Sequence, residues 1–131
     1  MSIFTGDTGG GGSAFGPMTW NSTNNPGSTS TRYLLPCEGA PDATEHFKIV
    51  AGPGTYTTLK IVASVAMATD SVTYTVRLNG VDTGLSVTIA AGATSAIVTG
   101  SVAVVAGDRI SVKVVQSGTE ATGTRVGAGL Y

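Results

Sequence analysis

Short runs in which apolar and polar residues alternate recur along the chain. In SVTYTVRL, Val72, Tyr74, Val76 and Leu78 point to one side of an extended chain, and the residues between them point to the other. Successive side chains of a β-strand face opposite sides of a sheet, so this period of two predicts strands with one buried face. The pattern recurs about every ten residues, in residues 58–67, 85–89, 98–104 and 110–114.

Turn signals separate these runs. An Asn-Gly pair favours the type I′ hairpin turn, which needs a positive φ at both central residues, and such a pair stands between two alternating runs. A Gly-Asp pair marks a later reversal. Short strands with regularly spaced turns are typical of a β-sandwich or jelly roll. We therefore predict an all-β, antiparallel β-sandwich over residues 31–131, with turns at Asn79, Gly80, Gly107 and Asp108.

Residues 1–30 differ in composition from the rest of the chain. They are rich in Gly, Ser, Thr and Asn, and Asp7 is the only charged residue among them. A glycine-rich segment buries little apolar surface and loses much chain entropy on ordering, so we expect a flexible N-terminal arm. Its large apolar residues include Phe4, Phe15 and Trp20. These side chains either anchor the arm on a partner or pack on the arm's own domain, and we predict the anchoring role.

Reactive side chains are scarce. The chain has one histidine, His46, and one cysteine, Cys37, whereas a zinc site needs three or four such ligands. The glycine run GDTGGGGS lacks the Lys-Ser/Thr pair that completes a phosphate-binding loop. We therefore expect no catalytic residues, no cofactor and no metal, and a protein that is not an enzyme.

The charge content restricts the partners. Only 11% of the residues are charged and the net charge is −1, so the chain offers no basic surface for nucleic acid or an anionic membrane. The first twelve residues lack the basic and apolar regions of a secretory signal, and no apolar run is long enough to span a bilayer. We expect synthesis in the cytoplasm. A charge-poor surface also associates readily, so it is either covered by copies of itself or by a larger assembly, or is a Ser/Thr-rich soluble surface.

Four motifs follow one another along residues 44–112: Thr44-Glu45, residues 54–59, TVRLNGVDT at 75–83 and VVAGDRISV at 104–112. Together they resemble a β-sandwich module of bacteriophage structural proteins and some bacterial surface proteins, which is similar to the TNF/C1q-like jelly roll. The resemblance implies a homotrimer, with the final strand in the sheet that faces the three-fold axis. The resemblance matches this final strand to RVGAGLY. It therefore implies that Val126, Leu130 and Tyr131 lie in the trimer interface or the adjoining core.

The functional expectation combines this resemblance with the arm. We expect a non-enzymatic bacteriophage virion protein, a trimer that decorates the capsid surface and binds the shell through its N-terminal arm. Its partners are then itself and the major capsid protein or another virion protein. One alternative is a receptor- or glycan-binding tip on a phage tail or bacterial surface, which an exposed cluster of Tyr, Trp and Asn would favour. The other is a bacterial surface structural module.

Overall fold

Nine β-strands make up the regular structure of residues 15–131, the part of the chain that the computed structural model describes. Their bounds are β1 Met18–Ser22, β2 Arg32–Tyr33, β3 Lys48–Ile49, β4 Gly54–Ala63, β5 Val72–Leu78, β6 Val81–Ile89, β7 Ser95–Val104, β8 Arg109–Gln116 and β9 Val126–Leu130. The strands form two antiparallel sheets that pack face to face. The prediction of an all-β antiparallel sandwich is confirmed.

The chain alternates between the two sheets. One, called here the β9 sheet, has the strand order β1-β9-β4-β7; the other, the β8 sheet, has the order β2-β8-β5-β6, with β3 also paired to β8. The chain crosses from one sheet to the other at every connection between these strands except β2–β3 and β5–β6. The final strand therefore lies inside its sheet, between β1 and β4.

The core lies between the two sheets and consists of the inward side chains of the alternating runs. Leu59 and Ile61 of β4, and Val112 and Val114 of β8, are fully buried. Each such side chain contributes about 1.5–3 kcal/mol relative to an exposed one. The other core residues include Trp20, Leu34, Val50, Tyr56, Val72, Tyr74, Val76, Leu85, Val102, Val104, Ile110, Val126, Ala128 and Leu130.

The N-terminal region corrects the predicted domain boundary. Residues 18–22 form β1, which pairs with β9 from Met18 opposite Leu130 to Ser22 opposite Val126. Trp20 is 1% exposed and belongs to the core. The sandwich therefore begins before residue 31, because MTWNS has the period of two of a half-buried strand and its tryptophan fills space between the sheets. Phe4 lies outside the described residues.

The β5–β6 hairpin has a two-residue loop. Leu78 pairs with Val81, and the loop residues Asn79 and Gly80 have φ angles of 51° and 83°. Gly107, in the turn before β8, has a φ of 91°. Side chains with a Cβ are strained at such angles, and a β-branched residue most of all.

We expect Gly80→Val to lower the free energy of unfolding by about 1–3 kcal/mol, because valine would be held in the left-handed region. Gly84→Val is the matched control: Gly84 lies within β6, its φ is not in the positive range, and a Cβ there would have no atom within 4 Å. Denaturation of both variants in urea measures the difference. Equal losses of stability would show that the hairpin loop does not require a positive φ.

Candidate interaction surface

The outer face of the β8 sheet carries a network of charged side chains. Arg77 Nε lies 3.3 Å from Asp82 Oδ1, and Arg77 Nη1 lies 3.7 Å from Glu45 Oε1. Lys113 pairs with the same Asp82, and the Ser111 hydroxyl donates to Glu45 at 2.6 Å. Partly exposed ion pairs of this kind add little stability. These charged groups remain partly in contact with water, and the same sheet also carries the exposed Ile49 of β3.

The outer face of the β9 sheet has a different chemistry. The strand register places Lys60 between Ile97 and Gly129, and Val62 between Ser95 and Gly127. Val62 is 48% exposed and Ile97 is 62% exposed. Among the described outward residues of these four strands, Lys60 is the charged one, and the Arg125–Glu38 pair lies at the margin of the face. The two outer faces of the sandwich thus differ in charge.

Two glycines of β9 form the floor of a furrow on this face. Gly127 and Gly129 lie between the outward side chains of β1 and those of β4. Two adjoining depressions, of about 260 Å³ and 430 Å³, extend along them. A Cβ on Gly127 would lie 3.7 Å from Asn21 Oδ1, an ordinary contact. Packing within this chain therefore does not require a glycine there, and the furrow leaves room for atoms of another molecule.

Tyr131 lies at one end of the furrow. The Tyr131 carbonyl accepts hydrogen bonds from the backbone N–H of Thr57 at 2.7 Å and of Thr58 at 3.1 Å, where the register of β4 shifts. The Tyr131 side chain is 51% exposed, and its hydroxyl lies above Gly129. Val126 and Leu130 are buried in the core. Of the three final-strand residues singled out from the sequence, Tyr131 alone lies at the outer face.

The predicted anchor residues that the structure describes are used within the sandwich. Trp20 is buried and has the Lys48 ammonium 5.1 Å from its ring centroid. The Phe15 ring packs against that of Tyr56, with 4.6 Å between centroids, and closely covers Gly54. The prediction that Trp20 anchors the chain on a partner is wrong, because a side chain in the core has no surface left to offer.

The predicted turn residues contact each other across the end of the sandwich. Asn79 Nδ2 donates to Asp108 Oδ1 at 3.0 Å, and the Arg109 N–H donates to Asn79 Oδ1 at 2.9 Å. These bonds join the β5–β6 hairpin to the turn before β8. The Asn79 hydrogen bond, helped by the Val105 N–H, lowers the pKa of Asp108 because both stabilise its charged form. The turn residues therefore have structural partners.

The titratable groups that drew attention in the sequence lie in loops. His46 Nε2 lies 3.0 Å from Asp42 Oδ2, and this hydrogen bond lowers the pKa of Asp42. Cys37 is exposed. Within residues 15–131, no cluster of three or more His, Cys, Asp or Glu side chains is arranged to hold a metal ion. The same residues contain no helix long and apolar enough to cross a membrane.

No protein-family model matches the chain, and no curated protein matches it significantly.

The residues that make the outer face of the β9 sheet distinctive were not predicted from the sequence. In Ile61-Val62 and Ile97-Val98, two successive apolar residues break the alternation, so that Val62 and Ile97 point outward. This break in the alternation was the sequence signal that could have indicated exposed apolar side chains. Their common location depends on the pairing of β4 with β7, which the sequence does not display.

We expect Trp20→Ala to lower the free energy of unfolding by about 3–5 kcal/mol, the usual cost of truncating a buried tryptophan. Phe47→Ala removes an aromatic ring that is 44% exposed and should cost about 1 kcal/mol. Thermal and urea denaturation of the two variants make the comparison. Wild-type stability in Trp20→Ala would contradict the placement of this residue in the core.

Proposed function

We propose that this protein is a non-enzymatic bacteriophage virion protein, a homotrimer that decorates the capsid surface. The observation that carries the proposal is the contrast between the two outer faces of the sandwich. The β8 sheet carries the charged network of Arg77, Asp82, Lys113 and Glu45, whereas the β9 sheet offers exposed Val62, Ile97 and Tyr131 around a glycine-floored furrow. Burying the second face in an interface removes few charges from water, so its desolvation costs little.

The strand order supports the TNF/C1q-like jelly-roll part of the proposal. A jelly roll has eight strands in two sheets and consists of two Greek keys. If β2 and β3, which both pair with β8, count as one interrupted strand, eight strands alternate between sheets, and β5–β6 is the one connection within a sheet. The final strand lies inside the β9 sheet, in keeping with the resemblance, which implies that this sheet faces the trimer axis.

The proposed interface is the outer face of β4, β7 and β9. Its exposed apolar side chains become buried against the neighbouring copies, which is the main favourable term in association. Lys60 is compatible with such an interface, because the aliphatic stem of a lysine can lie along an apolar surface while its ammonium group stays in water.

For capsid attachment we propose residues 1–14, which include Phe4. Trp20 and Phe15 are engaged in the sandwich, so the attachment falls to the part of the predicted arm that precedes them. Three such segments on one trimer raise the effective concentration of each after the first has bound. Individually weak contacts then suffice for stable decoration.

The receptor- or glycan-binding alternative has less support. It depends on a cluster of exposed aromatic side chains. Trp20, Tyr56 and Tyr74 are buried in the core. Phe47 and Tyr131 are exposed but lie apart, one beside Arg109 and the other above Gly129.

We expect Ile97→Glu to convert the trimer into a monomer, because it introduces a charge among the exposed apolar side chains of the proposed interface. Val81→Glu is the matched control: Val81 is 67% exposed, as exposed as Ile97, but it belongs to the β8 sheet, and this variant should stay trimeric. Light scattering and native mass spectrometry at micromolar concentration measure the mass. A wild-type monomer would refute the trimer, and a trimeric Ile97→Glu variant would move the interface to another face.

We expect deletion of residues 2–14 to leave a folded trimer that no longer binds undecorated particles of the phage. The deletion spares β1, whose removal would take Trp20 from the core and confound the result. Co-sedimentation with the particles measures binding, and light scattering checks the oligomer. Undiminished binding by the truncated trimer would place attachment on the sandwich itself.

A further inference from the structure

The crossover from β8 to β9, residues 117–125, is held in place by side-chain hydrogen bonds rather than by strand pairing. It contains no strand. It leads the chain from the β8 sheet to a position between two strands of the β9 sheet. Its contacts reach the segment that follows β4 and the segment that follows β1. Four side chains, Glu120, Asp70, Gln116 and Asn25, make the central contacts, and we call this set the latch.

The Glu120 carboxylate is bound by three successive backbone N–H groups. Those of Ala68, Thr69 and Asp70 donate to its two oxygens at 2.8, 2.9 and 3.1 Å, and the Thr69 hydroxyl donates at 3.0 Å. Converging N–H groups of consecutive residues form an anion-binding nest. The bonds lower the pKa of Glu120 to about 2, since they stabilise the charged form.

The Asp70 carboxylate in turn binds the backbone of Glu120. Its Oδ2 accepts the Glu120 N–H at 2.8 Å, so each of these two residues binds the backbone N–H of the other. The same oxygen accepts Gln116 Nε2 at 2.8 Å. The crossover and the segment after β4 are therefore joined by reciprocal carboxylate bonds, which are stronger than bonds between neutral groups.

The remaining members extend the latch to the segment after β1. Gln116 Oε1 accepts Asn25 Nδ2 at 2.8 Å and the Gly27 N–H at 2.9 Å. Asn25 Oδ1 accepts the Thr122 N–H at 2.8 Å. Gln116 and Asn25 are both buried, and a buried amide left without partners is costly. The contacts are thus made together or lost together.

We propose that the latch keeps the β1–β9 pair docked against β4, and that its release lets this pair open locally while the β8 sheet stays folded. β1 is an edge strand, paired within the sheets with β9, and β9 pairs with β4 over five residues. The latch holds the exit from β1 and the middle of the crossover that leads into β9. Thr124 and Arg125, directly before β9, are bonded separately to Val65 and Ser64. Contiguous strands that include a sheet edge can open as a separate cooperative unit, and here the opening also exposes the core side chains of β1 and β9.

Opening would also remove the floor of the proposed trimer interface, because that floor is β9. This consequence rests on the proposed function, whereas the opening itself does not. The latch would then decide whether the assembly surface exists.

The test is hydrogen exchange of the full chain, read by mass spectrometry, for the wild type and Glu120→Gln. Glutamine removes the charge and places an NH₂ group opposite N–H donors. We expect the amides of residues 18–22 and 126–130 to exchange about tenfold faster, with those of residues 74–78 and 109–114, which lie away from the latch, unchanged. Equal acceleration in all four segments, or none in any, would overturn the proposal.

Glu38→Gln is the matched control. Glu38 pairs with Arg125, next to the start of β9, but both side chains are exposed and the pair lies outside the latch. The same chemical change there should leave the exchange of residues 126–130 within about twofold of the wild type, as expected for a surface ion pair. If Glu38→Gln accelerated exchange as much as Glu120→Gln does, loss of any carboxylate near β9 would be enough to open the strand pair. That result would overturn the role of the latch.

A pH series on the wild type provides a second readout that does not require a folded variant. The titratable members of the latch are Glu120 and Asp70. Because the pKa of Glu120 is lower in the folded chain than its ordinary 4.5, its contribution is complete above that value and is lost as the pH falls towards 2. After correction for intrinsic exchange rates, residues 18–22 and 126–130 should lose protection selectively below about pH 4. Retained protection there at pH 2 would overturn the proposal.

An Ile97→Glu background separates the latch from assembly. The effect of Glu120→Gln on residues 18–22 and 126–130 should persist in that background, whatever its oligomeric state. An effect that disappears there would assign the protection to assembly and overturn the latch.

Discussion

The insertion of the last strand between β1 and β4 is the constraint on which the rest of the structure depends. β9 pairs with β1 on one side and with β4 on the other, so that Leu130 lies beside both Met18 and Leu59. One sheet therefore contains segments from near both ends of the described chain. Such non-local pairing costs loop-closure entropy before its contacts form, and it is stabilised by the burial of Trp20, Ala128 and Leu130.

This insertion also determines the chemistry of the outer face. An inward period of two in VGAGL places Val126, Ala128 and Leu130 in the core and leaves the two glycines outside. The outward side chains of β1 and β4 then stand on either side of a strip without side chains. The charged side chains gather on the opposite sheet, where they stay hydrated. The sandwich thus has one hydrated face and one whose burial would cost little.

Several carboxylates of the described chain are stabilised by uncharged donors rather than by cations. Glu120, Asp70 and Asp108 accept backbone N–H groups and side-chain amides, whereas Asp82 and Glu45 have Arg77 beside them. Backbone donors are fixed in direction, so these acids also hold loops in definite positions. At the β5–β6 end they join two turns, and at the opposite end they hold the crossover that leads into β9.

Local steric rules allowed the sequence by itself to determine several of the long strands and the hairpin loop. The alternation in residues 71–78 predicted β5, and Asn79-Gly80 predicted its two-residue loop, because strand periodicity and positive φ are properties of a few neighbouring residues. The rest required contacts between distant residues. The place of Trp20 in the core, the common face of Val62 and Ile97, and the bond between Asp70 and Glu120 all depend on which strands lie side by side. That choice was decided by the tertiary structure, since apolar burial is non-directional and the same alternating runs are compatible with several strand orders.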